Sequence, residues 1–316
     1  MANATPSFLG KANNSGDDLA LFLKLFSGET LASFSRQNKM LPMTTVRTIK
    51  NGKSASFPII GQASAEYHVA GAEIDGNVIN HAEKVITIDD LLIAHSFVSE
   101  IDELRNHYDI RQIYANELGE ALARTVDNHL LQLAVLGARS STIVTGGDAG
   151  TVITDADAHT NATSLISSIF EGAQALDEHN VPENDRFCVV NPDIYYQLVN
   201  NDKILNRDFG GDNGTYSDGK VLKVAGINIV KSNATATAFT DLSSASTTGL
   251  NNTYTANFST TKAVIFQKQG IGSVKLMDLS MQTEFDIRRQ GTLMVAKMAI
   301  GSGFLRPEAC VEIKIS

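Results

Sequence analysis

The sequence predicts an α+β fold with long, mixed strands and one over-long helix. Three observations predict it. Strand-like and helix-like segments follow one another without βαβ alternation and without any internal repeat. One helical pattern covers residues 109–136, about twice the usual helix length. A leading helix and a two-stranded excursion carry apolar side chains yet have no core of their own. With 316 residues, 43% of them apolar, the chain can bury one large core or two smaller ones.

Residues 1–16 are small and polar, with Asn3, Asn13, Asn14, Ser15 and Gly16, as a mobile terminus would be. Asp17 and Asp18 can cap a helix. Leu19, Phe22, Leu23 and Phe26 follow at i, i+3, i+4 and i+7, one apolar stripe that needs a surface to lie on. Residues 46–50 and 53–60 read as a hairpin about Asn51 and Gly52, because Asn-Gly supplies the positive φ angles of a tight turn. Pro58 marks an edge or irregular strand. Residues 62–83 hold Glu66, Glu73, Asp75 and Glu83 and no Lys or Arg. Residues 85–88 then return as a strand. A two-stranded ribbon is marginal alone in water, so support from another subunit is expected.

The pattern at 109–136 places Ile110, Tyr114, Leu118, Leu122, Val126 and Leu130 at steps of four. At 3.6 residues per turn such a stripe drifts by about 40° per step and winds around the helix, which at roughly 1.5 Å per residue spans roughly 40 Å. A winding stripe fits a spine crossed by different elements. Residues 140–163 read as a Gly/Ser/Thr/Asp-rich loop between lobes. Leu165, Ile169, Ala173 and Leu176 mark a helix. Residues 186–190 form a buried strand stopped by Asn191 and Pro192, and 194–199 a short helix. Residues 208–219 are a Gly/Asp loop, and 221–231 a strand, a turn at Gly226 and a strand. Residues 232–261, low in charge and rich in Ser, Thr, Asn and Ala, read as an exposed loop. Strands at 263–267, 273–279 and 281–287, an apolar stretch at 292–300 and a last strand at 310–315 complete the order.

The net charge of −9 argues against a protein that wraps DNA through its phosphates. Residues 1–53 hold seven Lys or Arg against three Asp or Glu, a charge of +4 that leaves −13 for the rest. This basic arm either keeps the protein soluble or lies on the acidic surface of a neighbouring copy. No stretch approaches the roughly 18 apolar residues of a spanning helix, and the start lacks a signal-peptide pattern, so a soluble cytoplasmic product is expected. Cys188 and Cys310 sit in apolar segments and are expected in the core.

No chemistry-bearing constellation stands up. Asp155, Asp157 and His159 are spaced like calcium ligands but lack the loop glycine and terminal glutamate. Asp208, Asp212, Asn213 and Asp218 fit a solvated turn. Gly270/Gly272 and Gly301/Gly303 are too short to cradle a phosphate, and no Gly-x-Ser-x-Gly elbow is present. His107 and His129 have no partner at metal spacing. No catalytic residue, cofactor or metal is assigned. Asn161, Asn233, Asn251 and Asn257 begin Asn-x-Ser/Thr triplets that mark loops. Two rivals stay in view. One is an enzyme, which needs a convergent site. The other is a Ser/Thr-rich surface or adhesion protein, which should carry a secretion signal or repeats.

Several stretches resemble the major capsid proteins of short-tailed bacteriophages (podoviruses) of the T-seven type. Residues 19–26 resemble that family's N-terminal helix. Residues 46–61, with Gly52, Lys53, Ser54, Ala55, Phe57 and Pro58, resemble its first ribbon strand. Residues 83–89, followed by Asn106, His107, Tyr108 and Asp109, match the return strand and the start of the spine. Val181 and Pro182, Asp185 and Arg186, residues 189–192 and residues 226–230 resemble the wider tailed-phage capsid fold. Residues 303–309 resemble its terminal strand. The matches run in family order, with the loops at 140–160 and 232–261 outside them.

The resemblance implies an HK97-like capsid fold: an N-arm at 1–53, an extended loop at 54–90, a peripheral domain at 91–148 and 277–302, and an axial domain at 149–276 and 303–316. It implies a structural protein and not an enzyme. Its copies would self-assemble as hexamers and pentamers into the icosahedral shell around the double-stranded DNA genome, which they would contact only non-specifically. Scaffolding and portal proteins are expected partners, a decoration protein is an open one, and no membrane is involved. The protein would belong to the virion and assemble in the cytoplasm of the host bacterium. Leu19, Phe22, Leu23, Phe26, Glu66, Glu73 and Asp75 are the expected inter-subunit contacts. Some relatives cross-link subunits through a lysine on the extended loop. Here residues 62–83 contain none, so a shell without covalent links is expected.

Overall fold

The computed structural model describes residues 39–71, 73–74, 76–105, 111–201, 214–215, 220–221 and 223–316. In chain order the strands and helices are β1 (Thr45–Thr48), β2 (Ser54–Ile60), β3 (His81–Thr87), β4 (Leu92–Ser99), α1 (Glu100–Arg105), α2 (Arg111–Ala138), β5 (Thr151–Thr154) and α3 (Ala162–Glu178). Then come β6 (Arg186–Val190), α4 (Pro192–Val199), β7 (Gly214–Thr215), β8 (Lys220–Val221), β9 (Lys223–Val224), β10 (Ile227–Lys231) and α5 (Thr235–Ala238). The chain closes with β11 (Thr261–Gln267), β12 (Ile271–Asp286), β13 (Gly291–Phe304) and β14 (Cys310–Lys314). These elements group into two compact units, with cuts between β3 and β4 at Asp89/Asp90 and inside α2, β12 and β13.

The described part of the first unit is Asp90–Val126 with Met277–Ile300. β4 and β13 pair antiparallel, with Val98 opposite Thr292 and Ser96 opposite Met294. Val98 and Met294 are buried on one face, and Tyr114 and Leu118 of α2 pack on them. The first half of the long helix thus uses a narrow stripe, with Glu117 and Arg124 paired at 2.8 Å on a half-exposed side. The expected strands at 273–279 and 281–287 are one sixteen-residue strand, β12. Asp278 does not break it, because side chains alternate faces along a strand and an exposed polar residue on a solvent face interrupts nothing.

The second unit holds Lys39–Asp89, Asp127–Leu276 and Gly301–Ser316. A six-stranded sheet in the order β5-β14-β11-β6-β10-β9 forms its centre. β6 runs parallel to β10 and antiparallel to β11, with Cys188 opposite both Ile229 and Ile265. α3 is capped by the Asn161 side chain, and buries Leu165, Ile169, Ala173 and Leu176 in the core that also takes Ile194 and Leu198 of α4. Cys188 and Cys310 lie fully buried as free thiols, and burial pushes both up to about 12. Here the second half of α2 is covered on several sides: Leu130, Leu131, Leu133, Ala134 and Val135 are all buried. The winding stripe of the sequence is this change from a narrow contact to a surrounded helix.

Three readings of the sequence are corrected. Residues 46–60 are not a hairpin. Gly52 does turn the chain at φ +119°, but β1 pairs parallel with Gly272–Lys275 while β2 pairs antiparallel with β3. A local turn signal fixes where the chain bends and not which strand each arm finds. The stretch 140–163 is not all loop, since β5 adds to the sheet edge in parallel with β14. The stretch 232–261 is not simply exposed, since Tyr254 and Phe258 are buried at 2% and 0% exposure.

Candidate inter-subunit surface

The excursion at 54–87 is a real ribbon. β2 and β3 pair antiparallel from Ser54 opposite Thr87 to Ile60 opposite His81, with Pro58 opposite Glu83. Strand alternation splits its side chains into two sets. Ala55, Ile59 and Ile86 are buried, whereas Ile60 and Val85 are half-exposed or more. The expectation of a ribbon without support in its own subunit is therefore corrected. Its inner face lies on the second unit, because Gly303 leaves room for Ile86, whose side chain would stand 3.2 Å from a Cβ there. Lys84 Nζ sits 4.2 Å from the centroid of the Phe304 ring, and burial lowers its pKa. Further out, Asn80 donates to the Thr145 carbonyl at 3.0 Å and Gly61 N–H to Asn80 at 2.8 Å.

Beyond Gly61 and Asn80 the described residues of the tip form neither strand nor helix. Tyr67, Val69, Ile74 and Val78 are exposed there by 102%, 71%, 76% and 83%. Full burial of such side chains stabilises by about 1.5–3 kcal/mol each, so four on one tip are a large unrealised contact. Glu66 and Glu73 are exposed on the same segment. Asp75 lies outside the described residues, as do Leu19, Phe22, Leu23 and Phe26. The described chain begins where Lys39 and Met40 donate their backbone N–H groups to Asp127 of α2, both at 3.1 Å. Burial raises the Asp127 pKa, and those two bonds together with the Lys39 charge oppose the rise.

At its base the ribbon meets a set of polar residues that sequence reasoning missed. Asp89 accepts from the backbone N–H groups of Asn251 at 2.7 Å and Asn252 at 3.1 Å, from the Asn252 amide at 2.9 Å and from the Tyr254 hydroxyl at 2.5 Å. The same two asparagines reach back to the ribbon. Asn251 Nδ2 donates to the Ile88 carbonyl at 2.7 Å and Asn252 Nδ2 to the Thr87 carbonyl at 2.6 Å. Ser302 N–H donates to the Tyr254 oxygen at 3.0 Å, and the His129 ring stacks on Tyr254 with centroids 4.2 Å apart. Burial raises the Tyr254 pKa, reinforced by Asp89; burial lowers that of His129, against the pull of Asp89. Gly301 is required here, because a Cβ would overlap the Thr87 carbonyl. The only hint in the sequence was the aromatic content of a loop otherwise made of small polar residues.

The other constellations resolve into structure. Asp155 accepts from Ser164 and Ser168 at 2.7 Å each and from the Asp157 N–H, and so braces the start of α3. Burial works upward on its pKa, and these bonds outweigh it and hold it low. Gly272 gives room to Leu305, and Gly270 to Cys310. Arg139 at the end of α2 grips the fully buried Glu312 with two bonds of 2.6 Å. Among the described residues no three His, Cys, Asp or Glu side chains are placed to share a metal ion. None of the described helices is long and apolar enough to cross a membrane.

Comparison with known proteins adds the lineage. A family model for Gp10A-like major capsid proteins matches residues 56–314. The major capsid protein of Escherichia phage T7 is 30% identical over 324 residues, covering 93% of this chain and 91% of that protein. That of Enterobacteria phage T3 is 32% identical over 331 residues, covering 95% and 93%. Among solved structures, the capsid of cyanophage P-SCSP1u matches with a TM-score of 0.83 at 43% identity, over 100% of this chain and 99% of that one.

Proposed function

The chain belongs to the Gp10A-like major capsid protein family, and from that premise we propose how its parts build a shell. The protein is a phage major capsid protein with the HK97-like α+β fold, and a component of the virion. Copies assemble into hexamers and pentamers, and these into an icosahedral shell around double-stranded DNA. Heterologous contacts that close on themselves generate such rings. The observation that carries this reading is the ribbon: its inner face is satisfied within the chain, while its tip presents Tyr67, Val69, Ile74 and Val78 to solvent. A neighbouring copy is the partner present at every such tip in a lattice.

In this reading residues 1–53 act as an N-arm and 54–90 as the extended loop that overlaps a neighbour. Residues 91–148 and 277–302 form the peripheral domain, and 149–276 with 303–316 the axial domain at the capsomer centre. The break between the compact units before Met277 supports one of these limits and those before Asp90 and after Ile300 fall close to two others, whereas the break after Val126 divides residues 91–148. Glu66, Glu73 and Asp75, together with the stripe Leu19, Phe22, Leu23 and Phe26, make contacts between copies. Scaffolding and portal proteins take part in assembly in the bacterial cytoplasm, and the acidic body holds its DNA without gripping it. The rival reading as a Ser/Thr-rich adhesion protein loses its basis, since the loop that prompted it contributes Tyr254 and Phe258 to the interior.

Electron microscopy of the purified chain, with and without scaffold, tests this. Shells or capsomer-sized rings are expected, and monomers under every condition would overturn it. A chain lacking residues 1–27 should keep a folded body and fail to form stable shells. Loss of folding on that deletion would show that the apolar stripe packs within its own subunit.

A further inference from the structure

We propose that Asn251, Asn252 and Tyr254 are positioning residues for assembly: through Asp89 they lock the base of the ribbon and so set the direction in which its tip meets a neighbour. The inference rests on the reading that the ribbon reaches another copy.

Four features of the site support it. First, the bonds run both ways. The loop sends four donors to one carboxylate and two side-chain amides to the carbonyls of Thr87 and Ile88. Those carbonyls lie where β3 ends, and the Ile88 N–H is taken by the Lys53 carbonyl at 2.9 Å. The backbone at the ribbon base is therefore held on both of its polar sides. Bonds to an ionised acceptor are about twice as strong as neutral ones. Second, the Tyr254 hydroxyl has one proton and two acceptors in reach, Asp89 at 2.5 Å and the Ser302 carbonyl at 3.2 Å, and the shorter contact gives it to Asp89. Its oxygen then accepts from Ser302 N–H, which ties the carboxylate to β13. Third, the far side of Tyr254 is closed by the His129 ring of α2, so the tyrosine cannot swing away without unstacking. Fourth, Gly301 lets β13 approach the Thr87 carbonyl more closely than any side chain would allow.

These contacts sit at the root of a lever. The tip lies beyond the seven rungs of β2 and β3. At about 3.4 Å of rise per residue, those rungs place it roughly 20 Å from the base. The outer end has a second hold in the Asn80–Thr145 bond, so the base at Asp89 fixes one of two attachment points, and loosening it lets the ribbon pivot about the other and shift Tyr67 and Ile74 against a docking surface. A fold that only needed the loop covered could use any apolar contact, whereas this one spends two asparagine side chains on the carbonyls of the ribbon itself.

The test uses full-length chains carrying Asn252→Ala, Tyr254→Phe or Asp89→Asn, beside a tip variant with Tyr67→Ala, Ile74→Ala and Val78→Ala. Backbone amide exchange is followed by mass spectrometry on unassembled subunits. Shell yield is measured by sedimentation under conditions in which the parent assembles. Each base variant should exchange about tenfold faster in residues 54–60 and 81–88, with protection of the central sheet unchanged and a marked loss of shells. A merely structural role would instead loosen the central sheet along with the ribbon, and that result would overturn the proposal. So would unchanged exchange in the ribbon. Normal shells from the base variants alongside failure of the tip variant would sink the positioning role alone. Normal shells from both sets would sink the reading that the ribbon joins copies.

Discussion

Replacing Arg139 by methionine asks how much one buried ion pair contributes to the second unit. Glu312 has no exposed side-chain surface, and Arg139 is 28% exposed. The guanidinium gives Nε to one carboxylate oxygen and Nη2 to the other, both at 2.6 Å, the fork geometry that suits arginine. Thr261 also donates to Glu312 at 2.5 Å, and Arg139 Nη1 to the Asn257 carbonyl at 2.7 Å. Without the arginine a buried carboxylate keeps a single hydroxyl partner. Removing one member of such a pair costs about 3–5 kcal/mol. Arg139 is open enough for water to enter at one edge, which places the expectation near the low end, ~3 kcal/mol. That is a large share of the ~5–15 kcal/mol that holds a typical domain. The assay is urea unfolding of the soluble subunit followed by circular dichroism. Arg139→Met with Glu312→Met should return to within ~1 kcal/mol of the parent, because two apolar side chains leave no stranded charge. A loss below ~1 kcal/mol for Arg139→Met alone would refute the reasoning, since that is the worth of an exposed pair.

Three further outcomes are expected. Denaturing gels of mature particles should run at the monomer mass of 33.9 kDa, because Lys53 and Lys84 lie at the ribbon and not on its tip, and the Lys84 amine rests on Phe304; a ladder of multimers would refute this. Glu73→Lys with Asp75→Lys should impair assembly, and Lys11→Glu with Lys24→Glu should partly restore it. Each exposed pair contributes only ~0–1 kcal/mol, but repetition makes assembly sensitive to salt as the Debye length falls from ~10 Å at 0.1 M to ~3 Å at 1 M. If the combined variant assembles no better than the loop variant, arm and tip do not pair. Finally, burial lowers the His129 pKa below its ordinary 6.5. Below that pH the unfolded chain binds the extra proton, so stability falls as pH drops from 6.5 through the lowered native value and then levels off. His129→Phe should remove this part of the loss between pH 7 and pH 5 in urea midpoints, and an identical loss in both chains would count against it.

The long helix and the ribbon were legible in the sequence because their signals are local. Leucines and valines at steps of four need only their own helix to make sense, and α2 spans Arg111–Ala138 against an expected 109–136. Residues 186–190 are apolar between turn residues and form β6 over that same range. Pairing was less legible. Gly52 announces a bend, yet β1 finds Gly272–Lys275 far along the chain, and no local pattern encodes a parallel partner at that distance. The polar cluster at Asp89 was invisible for the same reason. Aspartate after a strand and asparagines in a Ser/Thr-rich loop are ordinary surface residues until folding places them within 3.1 Å of one another.

The sequence by itself determined the α+β class, the basic arm and acidic body, the long helix, the ribbon with a lysine-free tip and the order of motifs that resembles the phage capsid proteins. Each of these follows from periodicity, charge or turn chemistry, which act over a few residues. Only the tertiary structure decided which face of the ribbon is already satisfied, that Gly301 and Gly303 make room for it, that Glu312 is buried against Arg139, and that Asp89 gathers Asn251, Asn252 and Tyr254. Those outcomes depend on close approach between segments distant in sequence. Burial gives them their energetic weight, since the same polar groups left in water would exchange one hydrogen bond for another at little gain.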